Sequence, residues 1–261
     1  YDPSTIETIF ELDAVAKDAG VMVIPGIGWT PGLTNMMVKH AAASLDHVRS
    51  ARISWVASIS SLHEETFVRI ARALSGTSVV LSGGGWARRS AGEDEEEIFF
   101  PPPIGWRQVR LAENWEAQSL PRAIEGIEDV VVKAGITEAA LDSLARAVSA
   151  IPALSSRDGR TRMAPILGPV VPMLGRLSGA RHSWSAARVD VTGTRHGGPA
   201  SISLAVLDQT TNLLCAPVVA ATLAVAGHGS AGVHSPESVL DPPAFFRSIA
   251  QAGVRIAKLN R

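Results

Sequence analysis

The chain has few of the residues that indicate secretion or a disulfide-stabilised scaffold. Its 261 residues include one cysteine, Cys215, and one tyrosine, and aromatic residues make up 5%. A single cysteine excludes an internal disulfide and is typical of a reducing compartment, so we expect a cytoplasmic protein. No basic segment precedes an apolar one at the start of the sequence, which argues against a signal peptide.

Net charge and long apolar runs are also scarce. Lys and Arg number 24 and Asp and Glu number 25, which gives a formal net charge of −1. A balanced chain has no global field to attract nucleic acid or an anionic membrane. The longest apolar run lies near Ala216–Ala226 and is well short of the roughly 20 residues that a membrane-spanning helix needs. We therefore expect neither a nucleic acid nor a membrane as a partner.

The first part of the sequence has the pattern of an α/β protein. Residues 4–19 carry apolar side chains at helical spacing, and residues 21–24 are a short apolar run that predicts a strand buried on both faces. A loop rich in Gly and Pro covers 25–31, and 32–44 is predicted as a second helix. Helix, buried strand, glycine-rich loop and helix in this order are typical of the end of a parallel α/β sheet.

After residue 45 the pattern changes to short strands mixed with helices. Strands are predicted at 48–59, 77–82, 96–100, 106–112, 127–132, 183–194, 200–208 and 254–257, and helices at 64–74, 137–151, 211–226 and 242–252. Arg195-His196-Gly197-Gly198 separates two alternating segments and predicts a β-hairpin. Three prolines within 163–177 predict a bent helix or loop. The acidic run Glu93–Glu97 is predicted to be a solvated loop.

The sharpest local motif is Gly26–Asn35, which reads GIGWTPGLTN and leads from the predicted strand into a helix. Its glycines allow a ligand to approach the backbone, Pro31 suits a first helical turn, and a helix N-terminus favours a polar or anionic ligand. It is not a dinucleotide fingerprint, because Pro31 stands at the third glycine position and no acidic residue follows at the required distance. On this motif alone, a tight structural turn and a ligand-binding loop both stay open.

Several segments carry a family pattern in the same order along the chain. They are Gly26–Asn35 (G-x-G-x-x-P-G-L-[ST]-N); Ile98–Gly105 (FP-x-P-x-G); Glu116–Arg122 (E-x-x-T-L-P-R, with Ser119 in place of Thr); Val189–Gly193 (V-x-V-x-G); and Gly232–Glu237 followed by Asp241-Pro242 and Phe245-Phe246 (G-V-x-x-P-E … F-F-x-x-L). This ordered set resembles the saccharopine dehydrogenase-like family. No single motif is decisive, but the motifs are distributed along nearly the whole chain, and the resemblance extends over the same length.

The resemblance implies an NAD(P)-dependent oxidoreductase that acts on a C–N bond of an amino-acid-like substrate, with NAD or NADP as cofactor and a homodimer as the assembly. It assigns residues 1–45 to the C-terminal end of a Rossmann-like NAD(P)-binding domain. Residues 46–261 would form an α+β substrate and dimerisation domain with a mostly antiparallel mixed sheet flanked by helices. Family members begin with a strand–G-x-G-x-x-G–helix unit that this sequence does not show. We therefore expect a fragment without the phosphate-binding half, whose activity belongs to the complete protein.

The resemblance also implies site residues. The cofactor's nicotinamide end is expected beside Gly26, Gly28, Trp29, Pro31, Gly32 and Asn35. For the substrate we predict Trp86, next to a run of glycines, and Arg122 and Arg195, whose guanidinium groups can grip a carboxylate in a bidentate manner. No catalytic acid or base is assigned. The loop histidines His228 and His234 lack a third ligand nearby in the sequence, so no metal is expected.

A second class of function stays open beside the enzyme. The chain could be a non-catalytic module that binds a small molecule or dimerises, and the absence of a phosphate-binding unit from the sequence favours this reading. The glycine–proline loop argues against it, because a pure oligomerisation domain has no need of such a loop. Cys215, on an apolar helix without a neighbouring His or carboxylate, is predicted to be a buried and inert thiol.

Overall fold

The computed structural model describes residues 3–60, 72–149, 151–177, 183–226 and 229–259. The strands are β1 (Met22–Val23), β2 (His47–Ala57), β3 (Thr77–Ser82), β4 (Gly85–Ser90), β5 (Glu96–Phe100), β6 (Gly105–Leu111), β7 (Asp129–Ile136), β8 (Trp184–Arg195), β9 (Gly198–Gln209), β10 (Gly232–Val233) and β11 (Ile256–Leu259). The helices are α1 (Pro3–Glu11), α2 (Asp13–Asp18), α3 (Thr34–Ala42), α4 (Glu116–Ala123), α5 (Asp142–Ser149), α6 (Arg157–Leu177), α7 (Thr210–Val225), α8 (Pro236–Val239) and α9 (Pro242–Gln251). Single 3₁₀ turns cover Ala139–Leu141 and Pro152–Ser155.

A nine-stranded mixed sheet forms the centre of the molecule, with the order β11-β9-β8-β2-β7-β3-β4. Strand β2 pairs in parallel with β7 and antiparallel with β8, and the other pairings of this sheet are antiparallel. The β5–β6 hairpin joins the sheet where β6 pairs with β7. The mixed, mostly antiparallel sheet that the sequence predicts is thus confirmed.

The hairpin of β8 and β9 shows how a local signal fixes a register. His196 and Gly197 have φ angles of 52° and 76°, the left-handed conformation that a tight two-residue hairpin turn requires. Arg195 therefore pairs with Gly198, and the register continues to Trp184 opposite Gln209. The predicted hairpin is confirmed.

The two faces of the sheet differ in chemistry because side chains alternate along each strand. On β2, Ile53, Trp55 and Ala57 face the helices and join a hydrophobic core with α3, α4, α7 and α9. The opposite face carries Arg52 of β2 and Lys133 of β7. The helices therefore cover the apolar face of the sheet, and this face is also the one that holds the candidate site.

The acidic run 93–97 is in part the solvated loop that its composition predicts: residues 93–95 form an exposed loop, and Glu96 and Glu97 begin β5. Asp94 and Glu96 lie 3.2 and 2.9 Å from the Lys133 ammonium, and Glu96 also pairs with Arg52. Arg110 bonds to Asp142 at 2.8 Å, and this contact is the main cause of its raised pKa. The run covers the polar face of the sheet because that face presents cations that need partners.

Several predicted elements are corrected. The segment 163–177, predicted as a bent helix or a loop, is helical and belongs to α6, which runs from Arg157 to Leu177. Pro165 and Pro169 are exposed, so water can donate to the carbonyls of the preceding turn that the missing N–H groups of these prolines leave without a partner. The helix predicted at 4–19 is interrupted at Leu12, and β4 was not predicted.

Cys215 is exposed rather than buried, because α7 is apolar all round and part of it faces outward. The helix predicted at 64–74 lies mostly outside the described residues, of which 72–75 are helical.

The first strand also differs from its prediction. Strand β1 has two residues, and Val21 and Val23 beside and within it are 49% and 37% exposed rather than buried on both faces. It pairs in parallel with β10, from near the other end of the chain. Helix α3 packs on the large sheet and shares its core. The Rossmann-like assignment of this region and the boundary at residue 45 stay predictions.

Candidate functional site

A cavity of about 390 Å³ opens at the carboxyl end of β2, between the loop at 26–31 and the segments 113–116 and 210–214. This volume is within the range of small-molecule sites. The lining combines three tryptophans with two carboxyl side chains. The tryptophans are Trp29, Trp55 and Trp115, and the carboxyls are Glu113 and Glu116.

The tryptophans come from three separate elements and are fixed by packing. Trp29 belongs to the glycine loop, Trp55 to the helix-covered face of β2, and Trp115 to the turn before α4. They are 4%, 5% and 8% exposed. The rings of Trp29 and Trp55 meet edge to face, with centroids 5.6 Å apart and an interplanar angle of 64°. Large aromatic side chains so enclosed present rigid walls to the cavity.

The polar residues between β6 and α4 are also fixed. Glu113 accepts hydrogen bonds from Arg72, whose Nε and Nη2 atoms lie 3.0 and 2.9 Å from its carboxylate. The Asn114 side-chain oxygen accepts from the Ala117 amide at 3.0 Å and so caps the start of α4. Glu113 lines the cavity while its guanidinium partner does not. The ion pair therefore presents its negative end to the cavity.

The buried carboxyl of Glu116 holds the glycine loop in place through hydrogen bonds. This carboxyl accepts hydrogen bonds from the hydroxyls of Thr30 and Thr34, at 2.6 and 2.9 Å, and from the Trp115 amide at 3.2 Å. Within the described residues it makes no ion pair. Burial raises the pKa of Glu116, and these hydrogen bonds oppose the shift.

A second buried group ties the loop to two other segments. The Asn35 side-chain amide donates to the Ser119 hydroxyl at 2.9 Å and to Glu237 at 3.2 Å, while its oxygen accepts from the Gly32 amide at 2.9 Å. Glu237 is 1% exposed, and burial raises its pKa. Its second carboxyl oxygen has no hydrogen-bond partner among the described residues.

These contacts bring together three of the segments that carry the family pattern. Asn35, Glu116, Ser119 and Glu237 are separated by up to 202 positions and meet beneath the glycine loop. Their role in this structure is to hold the loop in place. Asn35 was predicted for the cofactor site, whereas Glu116, Ser119 and Glu237 were noted only as positions of the family pattern. The sequence analysis also missed Trp55, Trp115 and Glu113, which no local motif distinguishes.

The residues predicted for the cofactor fall into two groups. Gly26, Gly28, Trp29 and Pro31 line the cavity, whereas Gly32 and Asn35 lie behind it. Gly32 has a φ angle of 118°, and a Cβ there would lie 3.0 Å from the Gly26 carbonyl oxygen. Glycine is therefore required because the loop folds onto itself. Pro31 is not in the first helical turn, since its ψ angle is 172° and α3 begins at Thr34.

The residues predicted for the substrate lie away from the cavity and from one another. Trp86 is 55% exposed on β4. The Arg122 guanidinium lies 4.4 Å from the centre of the Phe10 ring. Arg195 is exposed at the end of β8, beside the β8–β9 turn. The structure does not bring these three side chains together, and their assignment to the substrate stays a prediction.

The described residues contain neither a candidate metal site nor a candidate membrane-spanning helix. No group of three His, Cys, Asp or Glu side chains there could hold a metal ion, and His228 lies outside the described part of the chain. Within the same ranges, no helix combines the length and apolarity needed to cross a bilayer.

The cavity suits one part of a nicotinamide cofactor better than another. Its tryptophans and its open glycine backbone match a flat ring such as nicotinamide. Phosphates need cationic side chains or free main-chain donors. Among the described lining residues there is no Lys or Arg, and the Gly32 and Leu33 amides already donate to Asn35 and Gly28. The residues present therefore fit the ring, and no Lys or Arg among the described lining residues would pair with a pyrophosphate.

Taken together, the sheet and helices define a mixed α/β fold. The chain is similar in structure to apo saccharopine dehydrogenase (L-Glu forming) from Saccharomyces cerevisiae, with a TM-score of 0.57 and 12% identity over 96% of this chain and 77% of that one. It also matches the C. glutamicum DAP dehydrogenase in complex with DAP, with a TM-score of 0.40 and 15% identity over 92% and 66%. No protein-family model and no curated protein sequence matches the chain. At these identities the likeness concerns the fold.

Proposed function

We propose that the chain is part of an NAD(P)-dependent oxidoreductase that acts on a C–N bond of an amino-acid-like substrate. The observation that carries this proposal is that the glycine loop of the family pattern forms one wall of the enclosed cavity. The fold likeness to saccharopine dehydrogenase over 96% of the chain supports it independently of the motifs. The cavity is then the place where the reacting end of the substrate meets the nicotinamide.

The chain's own residues would position the reactants and exclude water. Trp29, Trp55 and Trp115 offer apolar walls to a flat ring, and desolvation there strengthens every polar contact. Glu116 and the threonines that it binds keep the loop at a fixed distance from the facing wall. The cofactor, when bound, supplies the hydride transfer, and the protein supplies binding, orientation and electrostatics. The phosphates would be held outside the cavity.

Binding of the reduced cofactor tests this function. NADH and NADPH are titrated into the protein while tryptophan fluorescence is followed, and we expect saturable quenching by one of them. Replacing Trp29 by Leu should reduce the quenching, whereas the same change at Trp106, which is 59% exposed on β6, should not. Absence of quenching, together with no change in nicotinamide absorbance across a panel of amino acids, would contradict the proposal.

We propose in addition that the chain associates with a second copy of itself, because two of its helices expose apolar stripes. Helix α6 presents Ile166, Val170, Met173 and Leu177, which are 60%, 41%, 53% and 74% exposed. Their spacing of four, three and four residues is that of a seam between paired helices. Helix α7 exposes Leu214, Val218, Val219 and Leu223. Such faces also fit the alternative function, a dimerisation module without catalysis.

Sedimentation of a charged variant tests the association. Val170→Asp places a carboxylate in the middle of the α6 stripe and should raise the dimer dissociation constant at least about tenfold, equivalent to about 1.4 kcal/mol. The matched change Val15→Asp, at a position 63% exposed on α2, should leave it unchanged. A monomeric mass for the unaltered protein would end the proposal.

A further inference from the structure

The cavity is aromatic and acidic at the same time. Trp29, Trp55 and Trp115 line it together with the carboxyls of Glu113 and Glu116. The face of an aromatic ring carries partial negative charge and attracts cations, most strongly in tryptophan and where water is excluded. The aromatic and the acidic components of this lining therefore favour the same kind of ligand.

The ionisable side chains among the described lining residues are all acidic. Among the described residues that line the cavity, two are acidic and none is Lys or Arg. Arg72 lies behind Glu113, with a side chain 17% exposed, and its Nη2 atom is 2.9 Å from the carboxylate. A carboxylate or phosphate entering the cavity would thus meet acidic side chains first, with no guanidinium on the wall to bind it.

We propose that this cavity recognises a cationic nitrogen, either a protonated amine or a quaternary ammonium group, held against the tryptophan rings with the carboxyls of Glu113 and Glu116 close by. The inference deepens the proposed function and rests on it for the identity of the substrate, since an amino-acid-like substrate would enter with its nitrogen and leave its carboxylate outside. It also gives Glu116 a positive partner, which that carboxyl lacks among the described residues. The binding itself requires no cofactor.

Paired probes separate charge from shape. Choline and its neutral isostere 3,3-dimethylbutan-1-ol have nearly the same size. Tetramethylammonium and the neutral alcohol 2,2-dimethylpropan-1-ol form a second pair of similar size. Isothermal titration calorimetry without cofactor should show each ammonium probe binding at least about tenfold more tightly than its neutral counterpart. Equal or tighter binding of the neutral compounds, or no binding of any ammonium probe, overturns the proposal.

The mouth of the cavity offers a test that does not disturb the core. Leu214 lines the cavity from α7 and is 41% exposed. Leu214→Lys should weaken choline binding severalfold and Leu214→Glu should strengthen it, with both effects reduced by added salt. The same pair of changes at Leu223, 67% exposed on α7 and roughly 13 Å further along the helix, should have little effect.

Trp55 provides the direct test of the rings. Trp55→Leu keeps an apolar wall but removes one aromatic face, and it should abolish most of the preference for choline over the neutral isostere. Circular dichroism establishes that this variant is folded, and the Leu214 pair stands if it is not. An unchanged preference in folded Trp55→Leu, or effects of the same sign for Leu214→Lys and Leu214→Glu, would refute cation recognition.

The experiments distinguish a failure of the proposed cation site from a failure of the proposed oxidoreductase function. Preference for ammonium probes without nicotinamide quenching leaves the cation site in place and removes the oxidoreductase. Quenching by NADH or NADPH without preference for ammonium probes keeps the oxidoreductase and removes the cation site.

Discussion

Two hollows lie at opposite ends of strand β2, and they differ in almost every property except the strand that they share. The hollow at the start of the strand is lined by His47, Arg49 and Glu128 among others and has a volume of about 1010 Å³. The cavity at the end of the strand is lined by Trp55 and Ala57 and has a volume of about 390 Å³. The rise of a β-strand places them roughly 20–25 Å apart.

The two hollows differ in the features that are typical of functional sites. The larger hollow is open, and its ion pair between Arg49 and Glu128 has a separation of 3.5 Å with side chains 74% and 56% exposed. Exposed pairs of this kind contribute little. The smaller cavity combines buried aromatic walls with a carboxyl whose pKa is raised by burial. Perturbed titratable groups in an enclosed apolar pocket are typical of functional sites.

Removing the support beneath the glycine loop should have the largest effect. Asn35→Ala deletes the amide that bonds to Ser119 and Glu237 and the oxygen that accepts from Gly32. Leaving these buried groups without partners should lower the free energy of unfolding by about 2–4 kcal/mol. Urea unfolding measures the loss, and choline titration should show weaker binding because the loop wall is released.

The matched control is Asn212→Ala, since Asn212 is exposed and its side chain bonds to Asp208 at 2.9 Å. This change should cost less than about 0.5 kcal/mol. If the two variants lose the same stability, the buried contacts do not support the cavity end of β2, and the contrast between the two ends fails.

The sequence predicted the elements whose signals are local. The β8–β9 hairpin follows from a short turn motif, and α9 begins at Pro242 as predicted, with Asp241 accepting from the Ala244 amide at 3.0 Å. For 163–177 the same reasoning left a bent helix or a loop open, because proline disfavours a helix interior, and only the structure shows that the segment is helical. Local rules are reliable where the local environment decides the conformation.

The cavity could be predicted only in part, because its walls come from distant parts of the chain. The glycine loop has a motif, and Gly26, Gly28, Trp29 and Pro31 line the cavity. Trp55 and Trp115 reach the same place through the packing of β2 and α4, which no local pattern specifies. Asn35 and Glu237 illustrate the other limit: each belongs to a family pattern, but only their contact at 3.2 Å shows that they support the loop.

The pH dependence of stability sharpens the comparison between the two ends of β2. Among the residues named for either hollow, a buried carboxyl with a raised pKa lies only at the end that holds the smaller cavity. Burial raises the pKa of Glu116 above its ordinary value of 4.5. The folded state then binds more protons than the unfolded state above pH 4.5, so the stability from this group is present below that pH and is lost as pH rises through the folded-state pKa. The loss is at most about 1.4 kcal/mol per pH unit.

Glu116→Gln removes this titration while keeping a hydrogen-bonding side chain of the same shape. The unfolding free energy of the variant, relative to the unaltered protein, should therefore increase as pH rises from about 4.5. Glu125→Gln, at an exposed position just beyond α4, should show no such trend. Parallel stability curves for Glu116→Gln and the unaltered protein would show that burial does not raise the pKa of Glu116.

The smallest effect is expected from Arg195, which the sequence assigned to the substrate. The structure places Arg195 at the exposed end of β8, between Thr194 and Pro199, two residues that line the hollow at the start of β2. Arg195→Ala should therefore change stability by less than about 0.5 kcal/mol and choline binding by less than about twofold. Arg247→Ala, at an exposed position on α9, is the matched control for the loss of a surface guanidinium. A tenfold loss of amino-acid binding in Arg195→Ala alone would move the carboxylate end of the substrate to the larger hollow and reverse the comparison between the two ends of the strand.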